Sequence, residues 1–397
     1  MHPDELKALL KDYLAPILDA TVLPDTVPST AQEQCIGSLD PSRIAVKAER
    51  TDLQRVVLFR TQQFSPVDRQ IARAFLEELM EMYSSTSPHY RRSLIRSLPI
   101  RAISRFLGGH SAPVQILEQY ETWAAMTYEG GAITSSIGVD LNEEDTTVSL
   151  PEVFPEDFSA VVSNGFDTML VVNGNGFVLG SGQLSGEQLA ITSSPFRLNL
   201  IADWCGPQRY GFVLNRLGEL LIFRNKELLF AKRRGKWQIY AHETYITRLH
   251  PKNQNRALRD SIYASCLDIS FARTGGCLVI ISDDNIDRIA ELVSDNDRID
   301  VAPNNPKSKT IATIVTDTFH NLDRRLRQEL LALDGATVLD RHGNVLAVGA
   351  IISVPAGSDG GGRRAAAKKG SEYGMGVKIS EDGEITAFEN GEMVFRT

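Results

Sequence analysis

The sequence predicts a multidomain α/β protein with a helical N-terminal region, a β-rich middle module and a C-terminal α/β domain. The last is expected to be a mixed sheet flanked by helices. Three observations predict this. The 397 residues exceed one ordinary domain. Apolar spacing is helical early in the chain and strand-like in short runs in the middle. From about residue 252, helical and strand patterns alternate, the mark of an α/β domain. The expected parts are residues 1–128 (mainly helical), 129–157 (a linker), 158–251 (a β-rich, sensor-like module) and 252–397 (an α/β domain).

The elements follow in order. Asp4 to Leu18 carries apolar residues at helical spacing. Val67, Ile71, Phe75, Leu76, Leu79 and Met80 form one stripe of a second helix between Pro66 and Tyr83. A third is expected from near Tyr90 to the glycine stop Gly108-Gly109. Its arginines, Arg91, Arg92, Arg96, Arg101 and Arg105, read as a solvated face in preference to an anion site. Gly130-Gly131, an acidic run and Pro151 and Pro155 suggest the linker. Strands are expected at 168–173, 209–214, 219–223 and 227–231, separated by turn residues. Asn173-Gly-Asn-Gly176 reads as one such turn, in preference to a nucleotide loop. Trp204, Trp237 and Tyr240 read as core aromatics in preference to a pocket lining.

A helix is expected from Asn255 to Arg273, broken by Gly275-Gly276. Cys277 to Ser282 is a continuous apolar run with β-branched residues, as in a strand covered on both faces. Short elements at 284–293 and 311–316 precede a helix over 322–333. Strands at 336–339 and 345–354 flank the turn Asp340-Arg-His-Gly343. Asn390-Gly391 within 385–395 is a strong hairpin signal.

Bulk properties narrow the function. The formal charge of -8 argues against general nucleic-acid binding. Cys35, Cys205, Cys266 and Cys277 lack metal-ligand spacing and read as reduced thiols. No apolar run approaches the roughly 20 residues of a membrane span. The acidic N-terminus lacks the regions of a signal peptide. A cytoplasmic location is expected.

Three constellations near the C-terminus carry chemistry. Asp334-Gly335-Ala336 offers a carboxylate beside residues with little or no side chain, so backbone can approach a ligand closely. Gly360-Gly361-Gly362-Arg363-Arg364, before a predicted helix, can present backbone amides and two forked guanidinium groups to phosphate oxygens. Ser380-Glu381 offers hard oxygen donors for a divalent cation. Each also has a plain reading: a turn aspartate, a flexible surface loop and a hairpin turn.

In this order and spacing, the three resemble the diadenylate cyclase domain (DisA type). The upstream passage Ala272-Arg-Thr-Gly-Gly-Cys-Leu-Val-Ile280 is similar too, so the resemblance covers about residues 252–397. It implies that two ATP molecules are joined into cyclic di-AMP with release of two pyrophosphates. Asp334 would serve the attacking 3′-hydroxyl. Gly335, Ala336, Gly361, Gly362, Arg363, Arg364, Ser380 and Glu381 would bind substrate, with Glu381 also a ligand for Mg²⁺ or Mn²⁺. A head-to-head homodimer or higher oligomer is implied, since each domain holds one ATP. The family's Arg-His-Arg signature is altered here. If Arg364 is its last arginine, Arg363 replaces the histidine and Gly362 the first arginine. If Arg363 is its first arginine, Arg364 replaces the histidine and Ala365 the last arginine, and Ser371-Glu372 fits better than Ser380-Glu381. Leu333 stands where relatives often have histidine before the aspartate. A nucleotide-binding sensor without turnover, or a related cyclase with another product, therefore stays open beside the active diadenylate cyclase.

Overall fold

A computed structural model of the chain describes all residues except 1, 31, 50–52, 156–162, 187–190, 250–253, 300–304 and 355–360, with backbone only at 88 and 92. The fold is mixed α/β. Its contacts divide it into two compact units, Met1–Ile191 with Arg197–Ala241, and His242–Thr397 with Thr192–Phe196.

The first unit opens with helix α1 (Pro3–Leu9), which continues into a π-helical turn at Leu10–Leu14. Strands β1 (Thr21–Pro28), β2 (Ile36–Asp40), β3 (Arg43–Val46) and β4 (Gln54–Phe59) then form an antiparallel sheet in the order β1-β4-β3-β2. The region over 1–128, expected to be mainly helical, carries this sheet as well as its helices. Its strands are short, and their apolar runs show too little alternation to stand out. Their inward side chains Ile44, Val46, Val56 and Leu58 share a core with Ile71, Phe75 and Leu79. The latter three lie on α2 (Pro66–Ser85), whose start is closed by a capping box between Ser65 and Asp68. The helix expected from Tyr90 to Gly109 is divided into α3 (Pro88–Leu94) and α4 (Leu98–Phe106). Pro99 lies in the first turn of α4, where it lacks an N–H to continue an earlier helix. Arg105 is engaged by Glu78 and Glu81, in keeping with the solvated-face reading.

After α5 (Ser111–Trp123) and the small ribbon of β5 (Thr127–Tyr128) and β6 (Gly131–Ala132) comes β7 (Ser135–Asp140). This strand corrects the linker expectation for 129–157, because every one of its residues is buried. Its polar sequence is satisfied internally. Ser135 Oγ shares a hydrogen bond with Ser163 Oγ, the Ser136 amide donates to Ser163 Oγ, and Ser136 Oγ donates to the Thr168 carbonyl. Helix α6 (Leu150–Val153), β8 (Thr168–Asn173), β9 (Val178–Gln183), α7 (Asn199–Trp204), β10 (Arg209–Leu214), β11 (Leu220–Arg224), β12 (Glu227–Arg233) and β13 (Lys236–Ile239) complete the unit. Its seven-stranded sheet runs β13-β12-β11-β10-β7-β8-β9, mixed because β7 and β8 are parallel. Trp237 and Tyr240 are buried, as core aromatics are. Asn173 to Gly176 makes the expected turn, the Gly176 amide donating to the Asn173 carbonyl.

The second unit begins ten residues before the expected boundary, with α8 (His242–Leu249), and continues through α9 (Arg256–Ala272). The early helix belongs here because Tyr245 packs on Phe395 and His242 Nδ1 bonds the buried Tyr263 hydroxyl. Strand β14 (Gly276–Ile281), α10 (Ile289–Leu292), α11 (Pro306–Ile314), α12 (Arg324–Ala332), β15 (Ala336–Asp340), β16 (Val345–Ala350), α13 (Gly362–Gly370), β17 (Gly374–Ile379), β18 (Ile385–Glu389) and β19 (Glu392–Arg396) follow. The six-stranded sheet runs β16-β15-β14-β17-β18-β19, with only the β14–β15 pair parallel. Side chains alternate between faces along a strand. Cys277, Val279 and Ile281 pack in one cluster with Ala367 of α13. Gly276 instead lies under Leu331 of α12 and Ile269 of α9. Helices thus cover both faces, which is why β14 reads as an unbroken apolar run. A buried ion pair joins α9 and α12, Arg324 Nε donating to Asp268 Oδ2 at 2.7 Å. The same pair holds the segment Thr192–Phe196 through the Phe196 amide and the Ser194 carbonyl.

Candidate functional site

Strand register gathers the candidate residues along one edge of the C-terminal sheet. Leu278 pairs with Thr337 in parallel, so β14 and β15 begin side by side, just after Gly275 and Gly335. Gly276 pairs with Ile379, which sets the end of β17 and the following Ser380-Glu381 at the same edge. Ala336 pairs with Ala350, which adds the end of β16.

Asp334 is exposed in the bend between α12 and β15, and its carboxylate accepts from the Gly335 amide at 3.1 Å. Gly335 has φ +95 and Gly349 φ +56, the left-handed region that favours glycine. They meet across the β15–β16 pair. A methyl at Gly335 would lie 2.6 Å from the Gly349 carbonyl carbon, and one at Gly349 would lie 3.0 Å from the Asp334 carbonyl oxygen. The Asp-Gly turn is therefore held by close backbone contact, with Ala336 buried behind it.

Gly360 falls outside the described residues. Gly361 has φ +81 and is the residue before α13, and Gly362 is its first residue; both are exposed. Arg363 reaches over Gly275 and donates from Nη1 to Glu381 Oε1 at 2.9 Å. Arg364 departs from this group and lies over the Phe388 ring, 5.7 Å from its centroid. Burial pushes the Cys277 thiol up to about 12, with the Arg363 charge opposing that shift. Ser380 closes its own turn: its hydroxyl donates to the Asp382 carboxylate, and its amide donates to the Glu384 carbonyl at 2.9 Å. Ser371 is fully buried and donates to the Lys368 carbonyl, and Glu372 pairs with Lys369 at 2.6 Å. Neither joins the sheet edge that holds Asp334.

The edge thus collects Asp334, Gly335, Ala336, Gly361, Gly362, Arg363, Ser380 and Glu381, and leaves Arg364 against an aromatic ring. A carboxylate, a guanidinium, exposed glycine amides at a helix start and a second carboxylate can together bind an anion and a hydroxyl. Sequence reasoning missed Gly275, whose missing side chain admits Arg363. It also missed Lys307 and Asp297, which flank Gly349: Lys307 Nζ donates to Asp297 Oδ1 at 2.6 Å and to the Gly349 carbonyl at 2.9 Å. Neither residue sits in a recognisable motif, and each meets a distant stretch of chain, Lys307 the Gly349 carbonyl 42 residues on and Asp297 the Ile351 amide 54 residues on, so only the fold brings them together. Among the described residues, no group of three or more His, Cys, Asp or Glu is placed to hold a metal by itself, and no helix is long and apolar enough to cross a membrane.

No family model matches the chain, and no curated protein matches it. Among solved structures, a double mutant of DacA from Staphylococcus aureus is weakly similar. It is 19% identical, covers 34% of this chain and 83% of its own, and superposes with a TM-score of 0.24.

Proposed function

We propose that the C-terminal unit is a diadenylate cyclase, joining two ATP molecules into cyclic di-AMP under control of the N-terminal unit. The observation that carries this reading is that strand register brings Asp334 to the same sheet edge as the Arg363–Glu381 pair. It matches the three-part resemblance of the sequence. In each of two equivalent steps the 3′-hydroxyl of one ATP attacks the α-phosphorus of the other. A P–O bond forms, the bond to pyrophosphate breaks, and the hydroxyl proton is lost. In this reading Asp334 orients that hydroxyl and accepts its proton. Arg363 and the amides of Gly361 and Gly362 hold phosphate oxygens, and Glu381 fixes the Arg363 guanidinium.

A divalent cation fits this donor set. Glu381 is 70% exposed in its side chain and gives only Oε1 to Arg363 among the described residues. Mg²⁺ commonly takes one or two protein carboxylates and fills its shell with phosphate and water. Mg²⁺ or Mn²⁺ held by Glu381 would neutralise charge on the triphosphate. The proposed reaction needs two nucleotides face to face, hence two C-terminal units from separate chains.

The test is incubation with ATP and Mg²⁺ or Mn²⁺, with products read by mass spectrometry. Wild type should yield cyclic di-AMP, and Asp334→Asn should yield none while still binding ATP. ATP bound but unchanged by the wild type at high protein concentration with either metal would replace the cyclase with a nucleotide sensor. A different cyclic product would redirect the reading to a related cyclase.

A further inference from the structure

We infer that Lys307 is a second cation of the nucleotide site, a phosphate-binding residue on the opposite side of Asp334 from Arg363. The inference rests on the nucleotide reading above and assigns a residue to it.

The placement comes from strand order. Arg363 lies over Gly275, at the start of β14. Lys307 bonds the carbonyl of Gly349, at the end of β16. β15, with Asp334 just before it, runs between those two strands. Neighbouring strands are about 4.8 Å apart, so the two cations bracket Asp334 across roughly 10 Å, the reach of a triphosphate and its sugar. Gly349 shows how close Lys307 comes to the aspartate's turn. From the position of a methyl there, Lys307 Nζ is 3.8 Å away and the Asp334 carbonyl oxygen 3.0 Å away.

The local sequence does not favour a lysine here. Lys307 lies in the first turn of α11, next to Pro306, and Asn305 accepts from its amide at 2.9 Å. That end of a helix favours acidic residues, because its dipole is positive there. The first turn of α11 has none. A residue that breaks a local rule calls for a compensating role. Part of the compensation is Asp297, whose Oδ1 takes the ammonium and whose Oδ2 accepts the Ile351 amide at 3.2 Å. An ammonium has three N–H donors, and two are used by Asp297 and Gly349. The Lys307 side chain keeps 37% of its exposure, against 17% for Asp297. Among the described residues, the tether thus leaves one ammonium donor unused on a partly exposed side chain. Arg363 is held in the same manner by Glu381, so each cation at this edge is kept in place by one carboxylate until a phosphate competes for it.

The test measures binding of ATP and of adenosine, which lacks phosphates, to full-length protein, with a thermal melt of each variant. Lys307→Met should weaken ATP about tenfold to a hundredfold, the worth of one charge-assisted hydrogen bond, and leave adenosine unchanged. Lys307→Arg should recover most of the loss. Asp297→Asn keeps an acceptor for the Ile351 amide but removes the competing charge, so ATP should bind as tightly as wild type or more tightly. If Lys307 only braced the strand end, Lys307→Met and Asp297→Asn would weaken both ligands together, and that result overturns the inference. So does ATP affinity unchanged in Lys307→Met. Wild type that binds no ATP would instead remove the nucleotide reading itself. Should Lys307→Met melt below the assay temperature, the sign of the Asp297→Asn effect decides alone.

Discussion

Arg363 owes its position to Gly275. The guanidinium occupies the space a side chain at residue 275 would fill, and from there Nη1 reaches Glu381 Oε1 at 2.9 Å. Gly275 also has φ +69, which an L side chain rarely adopts. One glycine thus links the start of β14, the first turn of α13 and the β17–β18 turn.

Gly275→Ala should therefore act on both fold and ligand. The left-handed backbone and the collision with Arg363 together should cost about 1–3 kcal/mol of stability. Arg363→Ala should leave the melt nearly unchanged, since its partner Glu381 is 70% exposed and solvent weakens the ion pair. Both variants should weaken ATP binding in a direct titration. Undiminished ATP affinity in Gly275→Ala would detach Arg363 from the nucleotide.

Much of this was legible in the sequence, and the boundary has physical causes. Strand β14 announced itself because helices cover both its faces, and the Asn390-Gly391 hairpin because its turn demands positive φ, which both residues have. The residues Asp334, Arg363 and Glu381 were visible as types, but only the register of β14 with β15 and β17 sets them at one edge. Strand β7 was hidden because its serines look like linker until their partners Ser163 and Thr168 are in place. The N-terminal sheet was hidden because four-residue runs such as Arg43–Val46 carry too little periodicity. Lys307 could have been suspected only as a lysine in a helix's first turn, a weak signal before Gly349 and Asp297 close around it.

The α8–α9 pair makes a pH-dependent prediction. Arg256 binds Glu243 with both terminal nitrogens, at 2.9 and 2.7 Å. Hydrogen bonding from Arg256 holds the Glu243 carboxyl below its ordinary 4.5. A carboxyl lowered on folding stabilises the fold above its unfolded value, and the contribution is lost as pH falls through the folded value. The side chains are 50% and 72% exposed, so the effect is small, about 0–1 kcal/mol. Denaturant unfolding of wild type and Glu243→Gln should therefore differ slightly near neutrality and converge on acidification below the ordinary 4.5. A gap that stays constant into acid would assign the effect to packing of α8 on α9 and not to charge.

The proposed chemistry also makes a prediction about concentration. Asp334 and Arg363 lie at one edge of one sheet, and in the proposed mechanism that edge holds one ATP. A second ATP must then be presented by a second chain, and turnover per chain becomes a function of chain concentration. With ATP saturating, the rate per chain should rise with protein concentration and level off once pairs predominate. Mixing Asp334→Asn with wild type should lower the wild-type rate, because mixed pairs retain one orienting carboxylate where two bond-forming steps are needed. A rate per chain that holds constant on dilution to demonstrated monomers would sink the face-to-face mechanism, even if cyclic di-AMP is formed.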